Sequence, residues 1–115
     1  MIASAAFMAA AIGPGPNGLA HTPPMGWMSW QLFRCQTDCG KYPTKCVNSE
    51  LYAQMADALA DGGYVDAGYR TVSIDDCWED LAGRKDGALV PDPKRFPDGM
   101  KALGDHMVRI CSCSR

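Results

Sequence analysis

The run Gly68-Tyr69-Arg70-Thr71-Val72-Ser73-Ile74-Asp75-Asp76-Cys77-Trp78 is where this sequence concentrates its chemistry. A short apolar stretch ends in two carboxylates, a cysteine and a tryptophan. Carboxylates accept hydrogen bonds from hydroxyls, and an indole face packs against the C–H face of a ring. Clustered at a strand end, these groups suit a neutral polyhydroxylated ligand, and a sugar is the obvious candidate. Adjacent side chains of a regular strand point to opposite faces, so Asp75 and Asp76 can address one ligand only if the strand stops there. The polar residues after them allow it.

The flanking segments must position that cluster. Met25-Gly26-Trp27-Met28-Ser29-Trp30 reads as a buried strand, and 31–47 as a long loop holding three cysteines, with Gly40 and Pro43 as breakers. Asn48 can cap a helix in which Leu51, Tyr52, Met55, Ala56 and Leu59 recur at helical spacing, and Gly62-Gly63 supplies the stop. Residues 69–74 form a second strand, with Val72 and Ile74 on one side and Thr71 and Ser73 on the other. Asp86-Gly87 predicts a small hairpin. Asp98 is the expected N-cap of a second helix, whose stripe is Met100, Leu103, Met107 and Ile110. The order strand, helix, strand, helix, with long crossovers, predicts an α/β fold with parallel pairing. Two βα units are a fraction of a domain, since parallel sheets need both faces covered and a closed eight-unit barrel takes about 250 residues.

Composition narrows the partners. The chain has 115 residues, 47% apolar, with a net charge of −2 and no Lys/Arg-rich run, which argues against nucleic acid or an anionic membrane surface. No apolar stretch approaches the roughly 20 residues of a membrane span. Residues 1–16 open with an Ala-rich apolar segment ending in Gly13-Pro14-Gly15-Pro16. They read either as a weak leader peptide, lacking a basic start, or as a disordered beginning. Cys35, Cys39, Cys46 and Cys77 sit in polar, Gly/Pro-containing surroundings that favour disulfides in an oxidising compartment. Zinc is the rival reading, but no C-x-x-C pair exists, and His21 and His106 are far apart. No cofactor or metal is expected.

At this point the residues resemble a family. Asn17-Gly18-Leu19-Ala20, Thr22-Pro23-Pro24-Met25-Gly26-Trp27, Trp30, Phe33-Arg34-Cys35, Gly68-Tyr69 through Ile74-Asp75-Asp76-Cys77-Trp78, and Pro91-Asp92-Pro93-Lys94-Arg95-Phe96-Pro97 are similar to the glycoside hydrolases that comprise the animal lysosomal α-galactosidases and α-N-acetylgalactosaminidases. The resemblance covers about residues 17–108, leaving 109–115 as a divergent tail. It implies the first two βα units of a (β/α)8 barrel, truncated, from a retaining hydrolase that removes terminal α-linked galactose or N-acetylgalactosamine. It further implies Trp30 as a wall of the sugar pocket, and Asp75 and Asp76 as acceptors for the 4- and 6-hydroxyls. Cys35 with Cys77 and Cys39 with Cys46 would be the family's disulfides. Substrates would be glycolipids, glycoproteins or oligosaccharides bearing α-galactosides, the full-length protein a homodimer, and the location lysosomal or secreted.

The aspartates are not the acid/base pair. A retaining glycosidase needs a nucleophile and an acid/base with carboxyl groups roughly 5 Å apart. The family carries them on later strands, the nucleophile in a Lys-x-Asp-x-Cys motif that is missing from these 115 residues. The fragment is therefore expected to be inactive alone. A truncated galactose-binding module and a disulfide-stapled secreted domain are the competing readings. Elsewhere the ordinary roles are expected. Trp27 packs in the core and His106 lies on a helix surface. Arg84, Lys85, Lys94 and Arg95 make a solvated, turn-rich surface. Cys111 and Cys113 have no family partner.

Overall fold

The computed structural model describes residues 21–113, and the side chains of 21–110. The expected leader at 1–16, the Asn17-Gly18-Leu19-Ala20 match and the thiols of Cys111 and Cys113 lie outside the described residues and side chains. Five elements succeed one another: β1 (Gly26–Met28), α1 (Trp30–Phe33), α2 (Ser49–Asp61), β2 (Thr71–Ser73) and α3 (Gly99–Cys113). The strands pair in parallel, with Gly26 opposite Thr71, Trp27 opposite Val72 and Met28 opposite Ser73. The fold is α/β, as expected.

Local chemistry accounts for most boundaries. Asn48 is extended at φ −147°, and its side chain accepts the Leu51 N–H at 2.8 Å, so α2 starts where the cap predicts. Gly63, at φ +75°, turns the chain out of α2. Asp86 and Gly87 both have positive φ (51° and 81°), the turn geometry that suits a tight hairpin, and Lys85 and Ala88 exchange hydrogen bonds of 2.9 Å across it. α3 begins directly after Asp98.

The core is made between α2, α3 and one face of the strands. Val47, Tyr52, Phe96 and Leu103 are buried at its centre. Trp27, Phe33, Ala53, Val72, Ile74, Trp78, Met100 and Met107 pack around them. The period-2 alternation therefore works as expected, with Val72 and Ile74 toward the helices. Gly26, Met28, Thr71 and Ser73 line a hollow on the sheet with Pro24 and Trp27. Gly26 has no substitute here, since a Cβ would overlap the Thr71 carbonyl.

Three expectations are corrected. The strands are shorter than 25–30 and 69–74, and Trp30 opens a single helical turn, closed by Phe33 N–H to Ser29 O (3.0 Å) and Arg34 N–H to Trp30 O (3.1 Å). His106 is half-buried and bridges helices, its Nε2 3.0 Å from Asp57 Oδ1 and its Nδ1 3.1 Å from Arg109 Nη2.

The third concerns Arg95, which is not solvated at all. It is 5% exposed. Its Nη1 donates to Val47 O at 2.8 Å and Cys77 O at 2.6 Å, its Nη2 to Glu79 O at 3.1 Å, and its Nε to Asp92 Oδ2 at 3.1 Å. Asp92 in turn accepts the backbone N–H groups of Lys94 and Arg95 at 2.9 and 3.1 Å. A planar fork with several fixed donors can serve four acceptors from three chain segments, which a lysine cannot.

Arg95→Ala leaves three carbonyls and a carboxylate without their donor, and should cost about 3–5 kcal/mol in denaturant unfolding. Arg95→Lys should recover only part of it. A loss under about 1 kcal/mol for Arg95→Ala would show that the clamp is dispensable. Asp92 adds a pH dependence. Burial alone would raise its pKa, but the Arg95 and Lys94 N–H groups and the guanidinium outweigh burial and hold it below 3.8. A carboxylate held low stabilises the fold above its unfolded pKa, and that contribution is lost as pH falls through the folded value. Asp92→Asn should flatten the acid limb of the stability profile below about pH 4.

Candidate functional site

Parallel pairing places the C-terminal ends of β1 and β2 side by side. Trp30 comes after β1 by two residues, and Asp75 and Asp76 after β2 by two and three. All three therefore leave the sheet at one rim, the edge at which α/β folds gather ligand-binding groups. The requirement that the strand end before the two acids is met, since β2 stops at Ser73. Asp75 is half-buried and Asp76 exposed. The Asp76 N–H donates to Asp75 Oδ1 at 2.7 Å, and Cys77 comes next at φ +70°, a left-handed conformation that non-glycine residues seldom adopt. The turn that carries the acids is thus a held geometry, with the surroundings over-determining it.

Two covalent links and the buried arginine do the holding. Cys35, just past α1, is bonded to Cys77, and Cys39 is bonded to Cys46. Both pairings are those the resemblance implies. The four cysteines that could have made a zinc site are consumed, and no other group of three ligand-type side chains gathers among the described residues. The first bridge ties the segment after β1 to the turn after β2. Arg95 holds the Cys77 carbonyl as well.

One participant is visible in the sequence only as part of a stripe. Tyr52 is fully buried in α2, and its Oη donates to Ser29 Oγ at 3.0 Å, next to Trp30. Burial raises the Tyr52 pKa above 10.0, helped by the negative charge of Asp75. The bond to Ser29, the charge of Arg95 and the Asp75 N–H pull the other way without reversing it. The phenol stays neutral near pH 7 and can donate and accept at once. A tyrosine in an apolar stripe signals a buried hydroxyl that needs partners. Sequence spacing does not say which. Ser29 and Arg95 carry no local signal of their roles.

Chemically, the rim offers two carboxylates and an indole. It can accept hydroxyl hydrogen bonds and stack on a ring.

Residues 22–110 match the family described as Alpha galactosidase A. The chain is 48% identical over 91 residues to α-N-acetylgalactosaminidase of Gallus gallus, covering 79% of this chain and 22% of that protein. Against α-galactosidase A of Homo sapiens it is 42% identical over 91 residues, with shares of 79% and 21%. The structure of an α-galactosidase from Saccharomyces cerevisiae with raffinose superposes with a TM-score of 0.72 at 38% identity, over 87% of this chain and 20% of that one. The chain spans about a fifth of the length of the relatives it matches.

The two bridges should differ in weight. Cross-link entropy grows with the loop closed, so removing the Cys35–Cys77 bond (separation 42) should cost about 4 kcal/mol and the Cys39–Cys46 bond (separation 7) about 2. Urea unfolding of the two paired Cys→Ala variants checks the ranking. The reverse order would show that the first bridge is not what secures the rim.

Proposed function

The chain belongs to the α-galactosidase A family of glycoside hydrolases, and from that membership we propose that it forms the sugar-gripping part of a retaining enzyme acting on terminal α-linked galactose or N-acetylgalactosamine. Trp30 walls the pocket. Asp75 and Asp76 accept hydrogen bonds from the 4- and 6-hydroxyls, and that pairing selects the galacto over the gluco configuration. The observation that supports this best is that both acids and Trp30 leave one rim of a parallel pair, with the acidic turn clamped by a disulfide and a buried guanidinium. Carboxylate-to-hydroxyl hydrogen bonds are charge-assisted and stronger than neutral ones, so fixing the acceptors in advance yields discrimination between epimers.

Hydrolysis calls for two further carboxylates, about 5 Å apart across the scissile bond. Asp75 and Asp76 are both assigned to recognition. These 115 residues therefore bind the sugar without cleaving it. The substrate class is a glycolipid, glycoprotein or oligosaccharide carrying a terminal α-galactoside. The solved yeast relative with raffinose favours an oligosaccharide among them. Two disulfides fit an oxidising compartment, hence a lysosomal or secreted setting, and the whole enzyme would be a homodimer. Among the described residues no helix is long and apolar enough to cross a membrane.

Titration of the oxidised chain with galactose, followed by NMR, is the test. Galactose should shift the amides of Asp75 and Asp76 at millimolar concentration, glucose should not, and Asp76→Asn should abolish the response. Equal shifts with both sugars, or none with galactose, would refute the assignment. Turnover of an aryl α-galactoside by this chain, lost in Asp75→Asn, would refute the claim that the cleaving groups lie elsewhere.

A further inference from the structure

The two disulfides differ in their access to solvent and in what they join. Cys39–Cys46 closes a short local loop, and Cys46 is 0% exposed. Cys35 is exposed, and its bond to Cys77 connects the segment after β1 with the turn after β2. Each end of that bond meets a backbone conformation that residues other than glycine seldom adopt. Arg34, one residue before Cys35, has φ +45° and ψ −131°, and Cys77 has φ +70°. Such conformations persist only while the surroundings over-determine them. The fold does not depend on the bond alone, because a non-covalent route runs beside it. The Val47 N–H donates to Gln36 O at 2.8 Å, and Arg95 Nη1 reaches Val47 O and Cys77 O at 2.8 and 2.6 Å. Breaking the bond therefore frees the two unusual turns while the contacts behind them remain.

We infer that the Cys35–Cys77 bridge is a redox-sensitive switch of the sugar site, opened by a dithiol that attacks at exposed Cys35. The inference rests on the reading of Trp30, Asp75 and Asp76 as sugar contacts. Asp76 directly precedes Cys77, and Trp30 opens the helical turn that ends just before Arg34 and Cys35. One thiolate of the dithiol forms a bond to Cys35 Sγ, the protein S–S bond breaks, and Cys77 leaves as a thiolate that takes up a proton. The second thiol then attacks the reductant's own sulfur in this mixed disulfide and releases Cys35 as a thiol. The protein disulfide gains two electrons, and the dithiol loses two as it becomes a cyclic disulfide. Arg34 and Cys77 are then free to relax, and the acids lose their fixed relation to Trp30. Buried Cys46 keeps the second bridge out of the exchange. The grip on the sugar is thereby confined to an oxidising compartment.

The test uses the whole oxidised chain, with free thiols blocked first. Dithiothreitol is added at neutral pH, and timed alkylation with peptide mass mapping follows both bridges. Cys35 and Cys77 should be labelled about tenfold faster than Cys39 and Cys46. Once only the first bridge is open, galactose should no longer shift the Asp75 and Asp76 amides, while the α2 amides keep their positions. Reoxidation should restore the response. Cys35→Ser with Cys77→Ser reaches the open state without reductant and should bind galactose about tenfold more weakly. Equal labelling of both bridges, or earlier opening of Cys39–Cys46, overturns selective attack at Cys35. An opened chain that binds galactose as well as the oxidised one overturns the switch. So does one whose α2 amides collapse together with the response, since the bond would then hold the fold and not the rim. If the oxidised chain shows no galactose response, the sugar-site reading fails and the switch with it. Faster labelling of Cys35 and Cys77 would then support the exchange chemistry alone.

Discussion

The buried guanidinium of Arg95 is the constraint on which the rest of this structure depends. It gathers carbonyls from the end of the cysteine loop (Val47) and from the turn after β2 (Cys77, Glu79), and it is charge-paired by Asp92 three residues earlier. Those segments lie outside the strands and helices apart from an isolated Glu79–Pro91 bridge, so the carbonyls of Val47, Cys77 and Glu79 need a donor from elsewhere. A single planar donor set meets that need inside the protein. The same arginine orders the entry to α3, since it leads directly into Phe96, which stacks on Tyr52 and anchors the start of that helix against α2.

The rim inherits its geometry from that clamp and from two further links of different kinds. The Cys35–Cys77 bond restricts the acidic turn covalently, while the Tyr52 hydroxyl ties Ser29, next to Trp30, to α2. Left-handed Cys77 is held by its disulfide and, at its carbonyl, by Arg95. A turn held this way would lose little conformational freedom on taking a ligand, which is how short polar segments reach useful affinity. The opposite face of the strands, with Gly26, Met28, Thr71 and Ser73, is the face that points inward in a closed barrel.

Short-range signals in the sequence are reliable because the physics behind them is short-range. Asn48 caps α2 through a residue three positions away, and Asp86-Gly87 turns on its own φ preferences. Tyr52 of the α2 stripe meets Met100, Leu103 and Met107 of the α3 stripe in one core. Expectation and structure part where a side chain's environment is made by distant segments. Arg95 sits in a run of charged and turn-forming residues with the composition of a solvated surface, yet its acceptor Val47 is 48 positions away. His106 has the local pattern of a surface residue, and only the packing of α2 brings Asp57 beside it.

The sequence by itself determined the order of the elements, the parallel sense of the strands, the family, and the collection of two acids and an indole at strand ends. Those come from periodicity, caps and motif spacing, all of which act within a few residues or by resemblance. Only the tertiary structure decided how the acidic turn is held. The guanidinium and the thiol that hold it come from segments well away in sequence, and a buried polar group reveals its role only when packing brings its partner within hydrogen-bonding distance.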